Sequence, residues 1–323
     1  MAENTSFSII IPTYNRADLI SITLDSVFAQ NYPYCEIIVV DNCSTDNTIE
    51  VLQPAVDAGK IRLIRHEQNF GRSKSRNTGF ENATGEWVLF LDSDDLMTEG
   101  ALSFLASKVR DFPQAGLIAG IYLEMDEEGN LIDQTRARMK QKAVDGLVEN
   151  AYLNIINNFY LPMGSYTVHR DTVMSGGGFE SNLEPCEDYD FCLRMVRISP
   201  LAYFNKPIVK IRKHEGNTHQ DPFYKTSIKV AHRNLAEILG NNSIENKKWI
   251  ISELRTSIAN VFFNQKKFKN AFWNYILAAY VNPKITINKR FYKQVFSCLV
   301  PESMKQILKS FLRKSSDVQK NNF

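Results

Sequence analysis

The sequence predicts an α/β fold, a mostly parallel sheet flanked by helices, followed by a separate all-helical region. Three observations carry this. Short apolar runs alternate with segments of helical spacing from Phe7 to Leu91. Three of those runs end in polar or acidic residues, at Pro12–Arg16, Asp41-Asn42 and Asp92–Asp95. After Pro222 the strand signals stop and lysine becomes frequent. Alternation of strand and helix at this pitch gives a doubly wound sheet with right-handed crossovers.

The elements follow in order. Phe7–Ile11 is a strand stopped by Pro12, and Ile20, Leu24, Val27 and Phe28 mark the first helix. Ile37–Val40 is a second strand; Ile49, Leu52 and Val56 mark a helix stopped by Gly59. Ile61–Ile64 is a third strand, and a short helix through Arg76 and Phe80 leads to the strand Trp87–Leu91. A helix is expected near Leu96–Arg110, a strand at Gly116–Leu123 and a hairpin turn at Glu127–Asn130. Beyond lie a helix around Leu147–Asn158, a strand at Met163–Val168 and a flexible loop at Gly176–Phe179. A helix follows Cys186–Phe191, Ile208–Ile211 is a last strand, and Arg212–Pro222 is a polar loop with His214 and His219. Domain boundaries are expected at 1–222 and 223–323.

Composition bounds the function. Apolar residues make up 44% and charged residues 23% of the 323, ordinary values for a globular protein with a sizeable core. No apolar run reaches the length of a transmembrane helix, and Met1–Thr5 lacks the features of a signal peptide. Five cysteines with no C-x-x-C pair read as reduced thiols, without a zinc site, in a cytoplasmic protein. The net charge of +2 hides an asymmetry. Residues 1–222 hold 20 Lys and Arg against 31 Asp and Glu, net −11; residues 223–323 hold 18 against 5, net +13. The acidic part suits a metal site, the basic part an anionic surface.

The acidic strand end, Asp92-Ser93-Asp94-Asp95, carries the first chemical signal. Crowded carboxylates repel unless a cation sits among them, and a hard divalent ion that also holds substrate phosphates is one answer. A helix cap with acidic first-turn residues is the other. The three strand ends would share the carboxyl edge of the sheet, where open α/β sheets bind ligands. Tyr14 could stack on a base, Asp41 or Asn42 could pair with its edge, and the acidic cluster could hold ribose and metal. Taken singly, Tyr14 could equally be a half-buried turn residue and Asp41 a cap. No glycine-rich loop follows the first strand, which argues against a nucleotidyltransferase and a dehydrogenase.

Ile11-Pro12-Thr13-Tyr14-Asn15-Arg16, Val40–Asp46, Asn69-Phe70-Gly71, Ser75–Gly79, Phe90–Asp95, Gly177-Gly178-Phe179 and Glu187-Asp188-Tyr189-Asp190 together resemble the family 2 glycosyltransferases, over roughly residues 6–218. The resemblance implies a GT-A fold, a nucleotide-activated sugar donor (a UDP-sugar favoured) and inversion at the anomeric carbon. It implies that Pro12, Tyr14, Asp41 and Asn42 lie at the base, although many relatives carry Asp where this chain has Asn42. Arg72 or Arg76 would approach the diphosphate. Asp92 and Asp94 match the D-x-D motif, with Asp94, Asp95 and His214 as candidate ligands for Mn²⁺ or Mg²⁺. Asp188, in the Glu187-Asp188 pair, would be the general base, since adjacent carboxylates raise one another's pKa. Read without the family, that pair is an acidic helix N-terminus, and His214 is a surface histidine. Asp190 reads as structural.

The acceptor implied is a hydroxyl of a glycan or lipid-linked sugar, in surface polysaccharide synthesis. The alternative is a non-catalytic nucleotide-sugar-binding or scaffold subunit that docks partners through its tail. In the tail, Ala259–Pro283 looks like one helical hairpin of the tetratricopeptide type, and the end from Phe311 is expected to fray. Anionic lipid attracts roughly 1 kcal/mol per Lys or Arg near its surface, so a peripheral position on the inner membrane face is expected. Phe262, Phe263, Phe268, Trp273 and Phe296 are the candidate anchors. No recognition motif for nucleic acid accompanies the charge.

Overall fold

The structure is a computed structural model. It describes residues 5–132, 145–156, 161–213, 221–240 and 247–283, with 295, 297 and 298. The chain divides into two compact units, Met1–Thr226 and Ser227–Phe323.

The first unit is built on a sheet of nine strands in the order β3-β2-β1-β4-β8-β6-β9-β5, with β7 beside β9. Its parallel half is β1 (Phe7–Thr13), β2 (Cys35–Asp41), β3 (Arg62–Arg65) and β4 (Trp87–Phe90). Every residue of β1 and β4 is buried, which is why both read as unbroken apolar runs. Alternate residues serve opposite layers. Phe7, Ile9, Ile11, Val39 and Leu89 pack with Ile20 and Leu24 of α1 (Ile20–Phe28), Leu52 of α2 (Thr48–Asp57) and Leu102 and Leu105 of α4 (Ala101–Asp111). Ile10 faces the other way, toward α3 (Arg72–Glu81). Gly79 of α3 lies so near that a Cβ there would be 2.3 Å from Ile10 Cγ2. A fully buried Ile or Leu in such a layer is worth about 1.5–3 kcal/mol. The outer edge, β3, points Arg62 and Arg65 into solvent, a charged guard against strand addition.

Strand β1 does not stop at Pro12 but runs through it to Thr13, pairing Pro12 with Val40 and Thr13 with Asp41 of β2. The reason lies in register. Pro12 shares the parity of Ile10, which faces β4, and pairing with β4 ends at Ile10↔Phe90. No ladder bond is lost at the missing N–H.

The sheet then turns antiparallel. Strand β8 (Tyr166–His169) lies between β4 and β6 (Leu117–Met125), antiparallel to both. Strand β9 (Leu201–Arg212) runs parallel to β6 and is flanked by the short β5 (Leu96–Met97) and β7 (Gly146–Leu147). Several boundaries differ from the sequence reading. Leu96 and Met97 are strand because they pair with Lys210 and Val209, and α4 begins only after Gly100, whose φ is +69°. The last strand starts seven residues early and passes Pro207 where its register with β6 shifts. The hairpin at 127–130 is present: Asp126 N–H donates to Asn130 O at 2.9 Å. The helix expected around 147–158 is α5 (Ala151–Ile156). Helices α6 (Arg170–Gly176) and α7 (Glu187–Ile198) complete the unit.

The triple glycine is not a flexible loop. Arg194 of α7 donates to the carbonyls of Gly176, Gly177 (2.9 Å) and Gly178 (2.7 Å), while its Nε pairs with Asp190 at 2.8 Å. Asn77 clamps Phe179 in both directions, accepting from its N–H at 2.7 Å and donating to its carbonyl at 2.8 Å. The glycines admit these protein side chains, and Asp190 is structural, as the sequence reading had it.

From Asp221 the described elements are helices: α8 (Asp221–Gly240), α9 (Lys247–Asn264) and α10 (Phe268–Val281). Helices α9 and α10 form a hairpin across Gln265–Lys267, closed by Ala259, Ala271 and Tyr275. It starts twelve residues before Ala259. Phe262 and Phe263 pack against that small core rather than standing free as anchors. Phe296 and the end from Phe311 lie outside the described residues.

Candidate active site

Three strand ends meet at one edge. Thr13 and Asp41 are register partners, Asn42 N–H donates to Thr13 O at 2.8 Å, and Leu91 N–H donates to Ile10 O at 3.0 Å. Because β2 and β4 flank β1 on opposite sides, this edge is the switch point of the sheet.

The loop after β1 is stitched to the loop after β2. Asn15, at φ +49°, donates from its N–H to Ser44 Oγ (2.9 Å) and accepts from Thr45 N–H (2.8 Å); Arg16 N–H donates to Thr48 Oγ1 at 2.9 Å. Tyr14 stands between these anchored residues, 41% exposed, on a surface a planar base could cover. Asp41 is fully buried, and its carboxylate accepts from Ser44 N–H, so it shapes the loop. Asn42 is buried too. Its Oδ1 accepts from Phe70 N–H (2.9 Å) and bonds His66 Nδ1 (3.0 Å), and its Nδ2 donates to Asn69 Oδ1 (2.7 Å). The Phe70 N–H fixes which end of the amide is oxygen, so Asn42 has only N–H to offer a base.

The acid loop after β4 is held from two sides. Asp92 pairs with Arg76 at 2.7 Å, and Asp94 lies 3.5 Å from Arg16. Asp95 is buried and accepts from Arg212 N–H at 2.9 Å, while Arg212 Nε donates to Asp94 O at 3.1 Å. None of the three caps a helix, because α4 starts at Ala101. Burial, then Asp92 and Asp94, push the Asp95 carboxyl well above its ordinary value. Such crowding relaxes when a cation arrives. Among the described residues no three His, Cys, Asp or Glu side chains form a cluster that could hold a metal ion by themselves. The donors present are hard oxygens, which fits an ion held by one or two carboxylates and completed by phosphate and water. His214 lies outside the described residues.

Arg76 is the centre of the site. Its side chain is 2% exposed, and it bridges Asp92 to Glu187 Oε1 at 2.8 Å, with its guanidinium 5.2 Å from the Phe179 ring centroid. Phe179 stacks on Phe191 at 4.1 Å, and Phe90 meets both rings edge-on. Burial opposes the charge, but Asp92 and Glu187 outweigh it and hold the guanidinium pKa above its ordinary value. Arg76 is therefore a clamp inside the protein. Arg72, half exposed one turn earlier with Nε 3.6 Å from Glu187, is the arginine an anionic ligand could reach.

Glu187 is buried, and its Oε2 has no hydrogen-bond partner. Asp188 beside it is half-buried and accepts from Tyr189 N–H at 2.7 Å. Burial first, then Glu187, push its carboxyl up to about 6 against the pull of Arg76. Both belong to the first turn of α7, whose dipole favours acids. The two readings of this pair thus hold together: it is an acidic helix N-terminus, and that terminus abuts the site.

Sequence reasoning assigned no role to His66, Glu184 or Arg212. Glu184 accepts from Ser73 N–H at 2.8 Å at the head of α3, where Gly71 (φ +86°) leaves it room. These residues lie outside the strand-end motifs; Arg212, the register partner of Met125 at the end of β9, reaches the acid loop through its N–H to Asp95.

A parallel half-sheet with bases and acids at its switch point, an antiparallel extension, and an acidic helix turned toward that edge define a GT-A glycosyltransferase. Residues 8–171 match the family model for glycosyl transferase family 2, and the chain belongs to that family. TuaG of Bacillus subtilis (strain 168), named for teichuronic acid biosynthesis, is 30% identical over 202 residues, 61% of this chain and 74% of that protein. The poly(ribitol-phosphate) β-N-acetylglucosaminyltransferase TarS of Staphylococcus aureus (strain Mu50) is 38% identical over 104 residues, 31% of this chain but only 18% of that protein. The crystal structure of its residues 1–349 matches with a TM-score of 0.64 and 25% identity, covering 85% of this chain and 81% of that one. The mannosyltransferase PcManGT of Pyrobaculum calidifontis, solved with GDP-mannose and Mn²⁺, shares the fold with a TM-score of 0.57 at 16% identity, covering 92% and 85%. The fold and family expected from the motifs are thereby shown.

Proposed function

We propose that the protein transfers a sugar, with inversion, from a nucleoside-diphosphate sugar to a hydroxyl of a glycan or lipid-linked acceptor in surface polysaccharide synthesis. A UDP-sugar is the favoured donor, because TarS has been crystallised with UDP and with UDP-GlcNAc. The surface-polysaccharide reading draws on the names of TuaG and TarS. One observation carries the reading: Arg76 ties the acid loop at the end of β4 to the acid pair heading α7, so a donor at the strand ends has a carboxylate beside its sugar.

In this reading Tyr14 stacks on the base and Asn42 donates an N–H to a carbonyl of its edge. Arg72 meets the diphosphate. Asp94 and Asp95, joined by His214, would hold Mn²⁺ or Mg²⁺, whose chemistry is to neutralise charge on the departing diphosphate. Asp188 accepts the proton of the acceptor hydroxyl as that oxygen bonds to the anomeric carbon, on the face opposite the leaving group. The bond from the anomeric carbon to the diphosphate oxygen breaks, and its electron pair leaves with the nucleotide. Glu187, pinned by Arg76, keeps Asp188 poised to take that proton near neutral pH.

A donor panel tests this. Purified protein with Mn²⁺ should show a thermal shift and slow hydrolysis with one nucleoside-diphosphate sugar, since a ligand of the folded state alone raises apparent stability. Asp94→Asn should abolish the metal dependence of that shift and leave the metal-free melting temperature within about 2 °C. A scaffold that only binds would shift without hydrolysis or transfer. The absence of any shift across the panel would sink the donor reading.

A further inference from the structure

Helix α10 is apolar on two faces, and the hairpin covers only one. Ala271, Tyr275 and Ala278 are buried against α9, with Tyr275 Oη donating to Asn260 Oδ1 at 2.6 Å. On the other face Trp273, Ile276, Leu277 and Tyr280 are 56%, 38%, 41% and 84% exposed. Their spacing, i, i+3, i+4, i+7, makes one continuous stripe along the helix. A helix apolar all round is ordinarily buried all round, so a stripe of this composition calls for a partner.

We propose that this stripe docks the enzyme on an anionic lipid bilayer. Three features select lipid. Trp273 and Tyr280 bracket Ile276 and Leu277, and indole and phenol rings prefer the boundary between headgroups and acyl chains. No Asp or Glu occurs between Val261 and Pro283, while Lys266, Lys267 and Lys269 stand exposed at the head of the helix, Lys269 one turn before Trp273. A second copy of the chain would bring the +13 of residues 223–323 against another +13, which disfavours pairing of two such faces. With 14 residues α10 spans about 21 Å, short of the about 30 Å of a bilayer core, and no described helix is long and apolar enough to cross a membrane. It therefore lies in the interface. Of the aromatics named from the sequence, Trp273 lies on this stripe, beside Ile276, Leu277 and Tyr280.

Co-sedimentation of the full chain with vesicles tests the proposal independently of any donor. Binding to phosphatidylglycerol-containing vesicles should exceed binding to pure phosphatidylcholine at least about tenfold and weaken with salt. Trp273→Ser with Tyr280→Ser should lower partitioning at least about tenfold and leave donor hydrolysis unchanged. Should that variant misfold, as read by its circular dichroism, Leu277→Glu puts a carboxylate on the same exposed face and should release the protein equally. Equal binding to both vesicle types would overturn the proposal. So would binding that survives these substitutions, or substitutions that abolish self-association in sedimentation instead, which would make the stripe an interface between copies. Failure here leaves the donor chemistry standing, because the hydrolysis readout is separate.

Discussion

Asp188→Asn should make the protein more stable and nearly inactive at once. Its carboxyl is pushed up to about 6 from 3.8, first by burial and then by Glu187. A folded-state value above the unfolded one means that the native chain holds the proton more tightly. The stability this confers is fully present below about pH 3.8 and is lost as pH rises through about 6. At neutral pH the ionised Asp188 is therefore a cost to the fold. The gap sets a ceiling of about 3 kcal/mol, which solvent screening of a half-buried group reduces to about 1 kcal/mol. Asparagine removes the charge, keeps the size and can still accept from Tyr189 N–H. Urea unfolding should show the variant more stable by about 1 kcal/mol near pH 7, with the difference vanishing near pH 4. Turnover, read as nucleotide release, should fall about 10²–10⁴-fold. A variant less stable than the parent near pH 7, or one with unchanged turnover, would refute the assignment of Asp188 as a destabilised, working base.

Two further changes probe the clamp. Arg76→Met leaves Glu187 buried with only the half-exposed Arg72 near it and should cost about 3–5 kcal/mol in urea unfolding, with Arg76→Lys between it and the parent because one ammonium cannot span both carboxylates; a loss below about 1 kcal/mol would show that Arg76 is not the keystone. Glu187→Gln removes the charge that helps raise Asp188, so the acidic limb of the pH–rate profile should move down from about 6 while the saturating rate is retained above it; a limb that stays put would assign the rise to burial alone.

The parallel half of the sheet was legible because its strands are buried on both faces and so read as plain apolar runs. The site edge was legible for the same reason, since strand ends mark themselves by the abrupt change to Thr13-Tyr14, Asp41-Asn42 and Asp92. What was not legible depends on partners far away in sequence. Leu96-Met97 looks like the start of a helix until Val209 and Lys210 arrive to pair with it. The triple glycine looks loose until Arg194 fills its carbonyls. Arg76 stands on a polar helix with Lys74 and Arg72 around it, and the resemblance offered it as a partner of the diphosphate; only the fold reveals that it pairs with Asp92 and Glu187 instead.

On the proposed function, the burial of Arg76 divides the acids into two kinds. Asp92 and Asp94 belong to one loop and Glu187 and Asp188 to one helical turn, and the structure adds a physical distinction within each pair. One guanidinium takes a carboxylate from each pair, Asp92 and Glu187, and places both against a cation that is itself out of solvent. A carboxylate so held is a poor base, because taking a proton would break the ion pair. On the function proposed above, the remaining members, Asp94 and Asp188, would carry the chemistry. On that proposal the D-x-D and Glu-Asp patterns would each be half scaffold and half reagent, sorted by Arg76, a cation found in neither motif.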